Sequence, residues 1–228
     1  MRQLHAQNFQ AVERSEVLMK LKSMICAAVF ALPVQHMNGW QLLEYDRIEP
    51  NQVSFSQQGM EIKVMDSASP IIYPLDIPLL VRRIEVSGKL SDLLSLDADQ
   101  QGLKNHDDFS LKIGLVVAGD KTLNGFQRLF SANWIKTLFD LAPEGTGIDH
   151  IYFLNAVQTS TRLGQQRQHP VSDLIYENNV WLLDKPGDFS VAHTLDKPRK
   201  VIAIWISIDG DDSHSNYSTL ISNLSLES

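Results

Sequence analysis

Asp209-Gly210-Asp211-Asp212 places three carboxylates within four residues, with His214 close behind. A hard cation such as calcium takes six to eight oxygen ligands, so Asp209, Asp211 and Asp212 are candidate ligands for a structural calcium. The D-x-D-x-D-G loop with its distant Glu is absent, which excludes an EF-hand. The same residue types are favoured in a solvated hairpin turn for backbone reasons alone, so no cofactor is required here. Two Asp/His pairs, His106-Asp107-Asp108 and Asp149-His150, stand before apolar runs. Brought together in space, His106, Asp108 and His150 would suit general acid–base work; apart, they cap strand ends in solvent. Tyr152 and Trp205 offer a third chemistry. Both fall opposite some of the apolar positions of their segments, and with Lys112 they would line a platform on which the apolar face of a sugar stacks. The alternative is a second buried layer beneath a helix carrying Trp134, since Trp and Tyr are mostly buried on average.

The usual catalytic signatures are missing. There is no G-x-S-x-G elbow, no H-E-x-x-H, no Gly-rich phosphate loop and no dinucleotide fingerprint. The one cysteine, Cys26, excludes a disulfide framework and a Cys-based zinc site.

These residues sit on segments with the period of strands. Met60, Ile62 and Val64 alternate with Glu61 and Lys63. Phe109, Leu111, Ile113, Leu115 and Val117 share one face, as do Ile202, Ile204, Ile206 and Ile208. Further strands are expected at 40–45, 52–55, 71–75, 80–86, 148–157, 180–183, 189–193 and 217–226. Pro74 and Pro78 lack the amide hydrogen a ladder needs and point to an edge strand. Phe126, Leu129, Phe130, Trp134 and Leu138 recur near the helical period, predicting one helix around 124–139. Short strands punctuated by Asp, Ser, Pro and Gly turns predict an all-β chain: an antiparallel β-sandwich of jelly-roll type with that single helix inserted.

Net charge is −7, from Lys+Arg 20 against Asp+Glu 27, which argues against a basic nucleic-acid or anionic-membrane surface. With 43% hydrophobic residues the chain can bury a core without a metal or disulfide staple. Its N-terminal part reads differently. Lys20 and Lys22 precede an apolar run from Ser23 to Val34 that resembles the n- and h-regions of a signal peptide and is too short to span a bilayer. Residues 1–38 are therefore expected to be a leader, with Met19 as the start, and 39–228 the sandwich domain. The alternative is a packed N-terminal helix, since Val17, Leu18, Leu21, Ile25 and Val29 have helical spacing.

Taken in order, several segments carry a resemblance. They are Gly39-Trp40, the turn at 66–70 leading into Ile71-Ile72-Tyr73-Pro74-Leu75, Asp107-Asp108-Phe109, the run from Ile204 to Asp212, and 217–226. This resembles a family of exported bacterial proteins, a domain of unknown function whose members look like carbohydrate-binding-module jelly rolls. The paired tryptophans that family shows near Arg82-Arg83 are absent here. The resemblance implies a sandwich fold and a periplasmic or secreted location, and supplies no catalytic residue. The expectation is a non-catalytic domain that binds a glycan or cell-envelope component through Tyr152, Trp205 and Lys112. Its alternatives are a polysaccharide hydrolase or lyase using His106, Asp108 and His150, and a structural module of the envelope.

Overall fold

A computed structural model describes residues 28–103, 105–123, 133–144, 146–169 and 172–228. In chain order the strands are β1 (Val29–Ala31), β2 (Gln41–Leu42), β3 (Gln52–Ser56), β4 (Gly59–Met65), β5 (Ala68–Leu90) and β6 (Lys112–Gly119). After helix α1 (Asn133–Asp140) come β7 (Gly147–Val157), β8 (Gln166–Gln168), β9 (Ile175–Leu182), β10 (Gly187–Asp209) and β11 (Asn216–Glu227). The hydrogen-bonded order is β3-β4-β11-β5-β10-β6-β7-β9-β8, with β1 on β11 and β2 on β5.

Two strands of 23 residues, β5 and β10, turn this path into a sandwich. Leu90 to Arg83 of β5 pair with Gly187 to Thr194 of β10 and, on the other side, with β11. Beyond the register shift between Thr194 and Arg199, the remainder of β10 pairs with the first half of β5 and with β6. One layer thus holds β3, β4, β11 and one half of each long strand. The other holds the opposite halves with β6, β7, β9 and β8. Strand alternation sends Ile204, Ile206 and Ile208 between the layers, where they meet Ile113, Leu115 and Leu154 from their own layer and Ile62, Ile221 and Leu224 from the facing one.

The expected all-β sandwich forms, with a parallel pairing of β7 and β9 in an otherwise antiparallel sheet. The expected strands 71–75 and 80–86 are one strand, as are 189–193 and 201–209. Pro74 and Pro78 are accommodated as an edge would accommodate them. Residues 73–82 lie between the stretches that pair with β2 and with β11, and β5 slips relative to β10 across Pro78. Of the expected helix, Trp134 and Leu138 lie in α1, the one α-helix among the described residues, while Phe126, Leu129 and Phe130 lie outside those residues. Among the described residues no helix is long and apolar enough to cross a membrane.

The segment 28–38, assigned from sequence to a leader, packs on the sheet. Val29–Ala31 pairs with Glu227 to Ser225, and Leu32 and Val34 enter the core. Trp40 is anchored to it, its indole N–H donating to the Pro33 carbonyl at 3.1 Å and its ring 5.1 Å from that of Tyr73. Gly39 makes this possible, since a left-handed backbone suits a residue without a Cβ. Its φ is +84°, and a Cβ there would stand 2.7 Å from the Tyr73 ring. Cys26 and the remainder of the predicted leader lie outside the described residues.

Candidate functional site

The outward face of the second layer carries the site. Register sets Trp205 beside Gly114, Gly114 beside Phe153, and Phe153 beside Glu177. Two residues along, Ser207, Lys112, Asn155 and Asn179 form a second row on the same face. Gly114 is the gap that lets this face close, because a Cβ there would stand 2.7 Å from Phe153 Cε1 and 2.9 Å from Ile151 Cγ2. Helix α1 covers part of the face. Ring centres then stand 5.9 Å apart for Phe153–Trp205, 5.5 Å for Trp205–Trp134 and 5.9 Å for Trp134–Tyr45. They form a chain of edge-to-face rings, the favoured geometry for aromatic quadrupoles. Trp205 is 2% exposed, and its Nε1 has no hydrogen-bond partner among the described residues.

A cavity of about 590 Å³ opens beside these rings, lined by Tyr45, Trp134, Phe153 and Trp205 on its aromatic side and by Lys112, His169 and six aspartates on its polar side. One flank is a row of paired charges. Lys112 Nζ lies 2.7 Å from Glu177 Oε1 and within 5.1 Å of the centres of the Phe109 and Phe153 rings. Arg167 bridges Glu177 and Asp107 at 2.5 Å each, and His169 Nε2 is 3.0 Å from the second Asp107 oxygen. Burial works against the Lys112 cation, yet Glu177, and then Asp107 and Asp209, hold its pKa above the ordinary lysine value. Burial likewise works against ionised Asp107, but Lys112, the hydrogen bond with His169, and Arg167 bring its pKa below the usual range.

The other flank is acidic, and among the described residues no cationic side chain lies within ion-pair distance of it. Asp209, at the end of β10, accepts from Ser207 Oγ at 2.8 Å. Burial pushes its pKa up to about 7 against the pull of Lys112 and Ser207, with Asp108 and Asp211 raising it further. Asp211 is raised to about 6 by burial and by Asp108. Asp108 is also raised by burial, although the Ser213 and Asp212 amides hydrogen-bond its carboxylate.

Of the residues expected to bind ligand, Trp205 and Lys112 line this cavity and Tyr152 does not. Tyr152 alternates to the opposite face of β7 from Phe153 and packs on the inter-layer core. The Arg199 guanidinium lies 3.8 Å from its ring centre. The three therefore do not share a platform. The expectation that Trp205 would be buried beneath a helix carrying Trp134 is met.

Asp209, Asp211 and Asp212, expected to hold calcium together, all line this cavity, with Asp209 accepting from Ser207 and Asp212 from the Asp107 amide at 3.2 Å. They do not form a set of three donor groups within 4.8 Å of one another. Among the described residues the one set of three donor groups within 4.8 Å of one another is Asp107, His169 and Glu177. Lys112 and Arg167 already neutralise its two carboxylates. The acidic segment is not a hairpin turn either, since β10 leads through it into β11, which pairs with β4 and β5 in the other layer.

The proposed grouping of His106, Asp108 and His150 does not form. Asp108 lines the cavity, whereas His150 lies opposite Val117, at the far end of β6 from Lys112. At the rise of an extended strand that separation is about 16 Å. There His150 contacts Asp149 at 2.9 Å and the Tyr176 ring at 5.2 Å.

The fold and this cavity define the chain as a β-sandwich with an aromatic and acidic site on its outward sheet face. No protein-family model matches the sequence, and no curated protein is similar to it. Among solved structures it is similar to the xylan-binding module CBM15 (10% identity, TM-score 0.38, 88% of this chain and 96% of that one). It is also similar to a family 11 carbohydrate-binding module from Clostridium thermocellum (9%, 0.38, 87% and 94%) and to the exoplasmic/lumenal domain of VIP36 bound to calcium and Man3GlcNAc (11%, 0.34, 87% and 87%).

Proposed function

We propose that this chain is a glycan-binding β-sandwich module and that the cavity beside Trp205 is its site. The observation that carries the reading is the lining itself. Four aromatic side chains and six carboxylates meet around one opening of about 590 Å³. That size is within the range of small-ligand sites. A sugar presents an apolar face for rings and hydroxyl groups for carboxylate acceptors, and this lining offers both. Lys112 serves here as a built-in counter-ion to Glu177 that holds β6 and β9 in place. In this reading the chain works in the periplasm or outside the cell; Lys20 and Lys22 ahead of an apolar run are what supports export, and cleavage would fall before Val29, since Val29 to Val34 belongs to the fold.

Thermal unfolding of the full chain against a panel of soluble glycans tests the reading, because a ligand that binds only the folded state raises the melting temperature. Trp134 is the variant position, being half-buried on α1 rather than in the sheet. A glycan that raises the melting temperature of the wild type and not of Trp134→Ala is the expected result. Silence across the panel, or a shift that Trp134→Ala leaves intact, overturns the assignment.

A second reading has its own observation. Asp209 at about 7 and Asp211 at about 6 share one cavity. Both have the raised pKa of a general acid at neutral pH, as a glycoside hydrolase needs. Release of reducing ends from the bound glycan, lost in Asp209→Asn, would move the assignment from binding to hydrolysis.

A further inference from the structure

We infer that the sugar this cavity selects carries an N-acetyl group, whose carbonyl oxygen accepts from the indole N–H of Trp205. The inference rests on the glycan reading above and narrows it to N-acetylated sugars.

The Trp205 N–H carries it. Among the described residues Trp205 is the one member of the cavity wall with a buried side-chain polar atom that has no hydrogen-bond partner. Other polar side chains of the wall are engaged, Lys112 with Glu177, His169 with Asp107 and Ser207 with Asp209. A buried N–H without an acceptor is costly, and bulk water does not reach this one. An indole nitrogen only donates, so the partner it lacks is an acceptor, which the ligand brings.

The rest of the wall decides which acceptor. Its six aspartates outnumber Lys112 and His169, so an anionic oxygen is repelled and the acceptor is neutral. A hydroxyl is neutral too, but it brings no apolar part to the rings around the indole. Phe153 and Trp134 stand edge-to-face against Trp205 at 5.9 and 5.5 Å, and Ile135 and Ile175 line the same opening. An acetamido group has a neutral carbonyl for the indole, a methyl for this surface and an N–H to give away. The next residue on this face of β10, about 7 Å along the strand, is Ser207, whose oxygen has lone pairs free for that N–H.

The test is calorimetric titration of the full chain with two matched pairs of probes that differ in acetamido for hydroxyl groups. They are the N-acetylglucosamine tetrasaccharide against cellotetraose, and N-acetylgalactosamine against galactose. Tighter binding of the acetylated member, by about tenfold or more in at least one pair, is expected when a buried donor is satisfied and a methyl is buried with it. Trp205→Phe keeps a ring and removes the N–H, and it should lose most of that preference. A second readout needs no variant. In the 15N-labelled wild type the Trp205 indole proton, assigned through bonds, should move downfield when the acetylated sugar binds and not with its hydroxyl counterpart. Equal or tighter binding of the hydroxyl sugars overturns the inference and leaves the glycan reading standing. So does an acetyl preference that leaves the Trp205 indole signal unmoved or survives in folded Trp205→Phe. Binding of no probe also overturns the inference, while the glycan panel decides the wider reading separately.

Discussion

Replacing Asp209 by Asn should stabilise this protein at alkaline pH and leave its stability in acid nearly unchanged. In the folded chain the Asp209 carboxyl titrates at about 7 instead of 3.8, because burial outweighs the attraction of Lys112 and the Ser207 hydrogen bond, and Asp108 and Asp211 add repulsion. Below the unfolded value both states hold the proton, and the group contributes nothing. Between the two values the unfolded chain has released its proton while the folded chain keeps it, so stability falls as pH rises. Above about 7 both states are ionised and the full penalty is present. That displacement corresponds to about 4 kcal/mol at most. Asn has the same shape, accepts from Ser207 Oγ and carries no charge to desolvate. Relief of Asp211, which titrates at about 6 beside it, acts in the same direction. The groups facing this carboxylate are Lys112 from β6, Asp108 before it, Asp211 after β10, Tyr45 before β3 and Tyr217 from β11. None of them is altered by the change. Urea unfolding of both proteins, from near pH 4 to near pH 8.5, reads the difference directly. The gap should open between those limits, to about 2–4 kcal/mol in favour of Asn at the upper end. A gap that does not change with pH, or an Asn protein that is the less stable at high pH, would refute the reasoning.

Three further outcomes are expected. Lys112→Met leaves Glu177 buried with Arg167 as its remaining partner. It should cost about 3 kcal/mol in denaturant unfolding, with Lys112→Met/Glu177→Gln recovering most of it. In Gly114→Ala the new methyl collides with Phe153 and Ile151. That change should destabilise by about 1–3 kcal/mol and alter the tryptophan fluorescence of the ring chain around Trp205. Tyr217→Phe removes the hydrogen bond that the phenol donates to the Asp209 carbonyl at 2.8 Å. Thermal unfolding should register a loss of about 1 kcal/mol.

The sequence made the sandwich legible because its strands carry strict alternation. Met60 to Val64 and Ile204 to Ile208 could face only one way once one side was apolar, whereas Ile202, expected on the same face, is turned by the slip between Val201 and Ala203 to the outer cluster with Trp205. The joining of 71–75 to 80–86 was hidden by Pro74 and Pro78, whose local signal is to stop a strand. What overrode it is β10, which continues pairing on the other side of the slip. For the site, Trp205, Lys112 and the aspartates were visible as residue types, and Trp205 was rightly weighed as a covered aromatic. Tyr152 was misplaced because its grouping with Trp205 depended on which faces two different strands would share, and Leu115 and Ile204 are the residues its register selects. Phe153, Arg167, His169 and Glu177 were missed altogether. One sign was available: Glu177-Asn178-Asn179 interrupts an otherwise apolar strand, and three polar residues in a buried ladder imply polar partners across it. The partners themselves come from a parallel pairing and a distant short strand, which local spacing does not encode.

The two long strands have a consequence for how the molecule comes apart. Since β5 and β10 belong to both layers at once, neither half of the sandwich owns a complete set of strands, and separating the layers means breaking the longest ladder among the described residues. Unfolding is therefore expected as one cooperative event, with backbone circular dichroism and tryptophan emission tracing the same transition. The ladder also joins residues far apart in sequence, from Ala68 with Asp209 to Leu90 with Gly187. Its closure must wait for most of the chain, and refolding belongs to the slow regime of non-local β topologies.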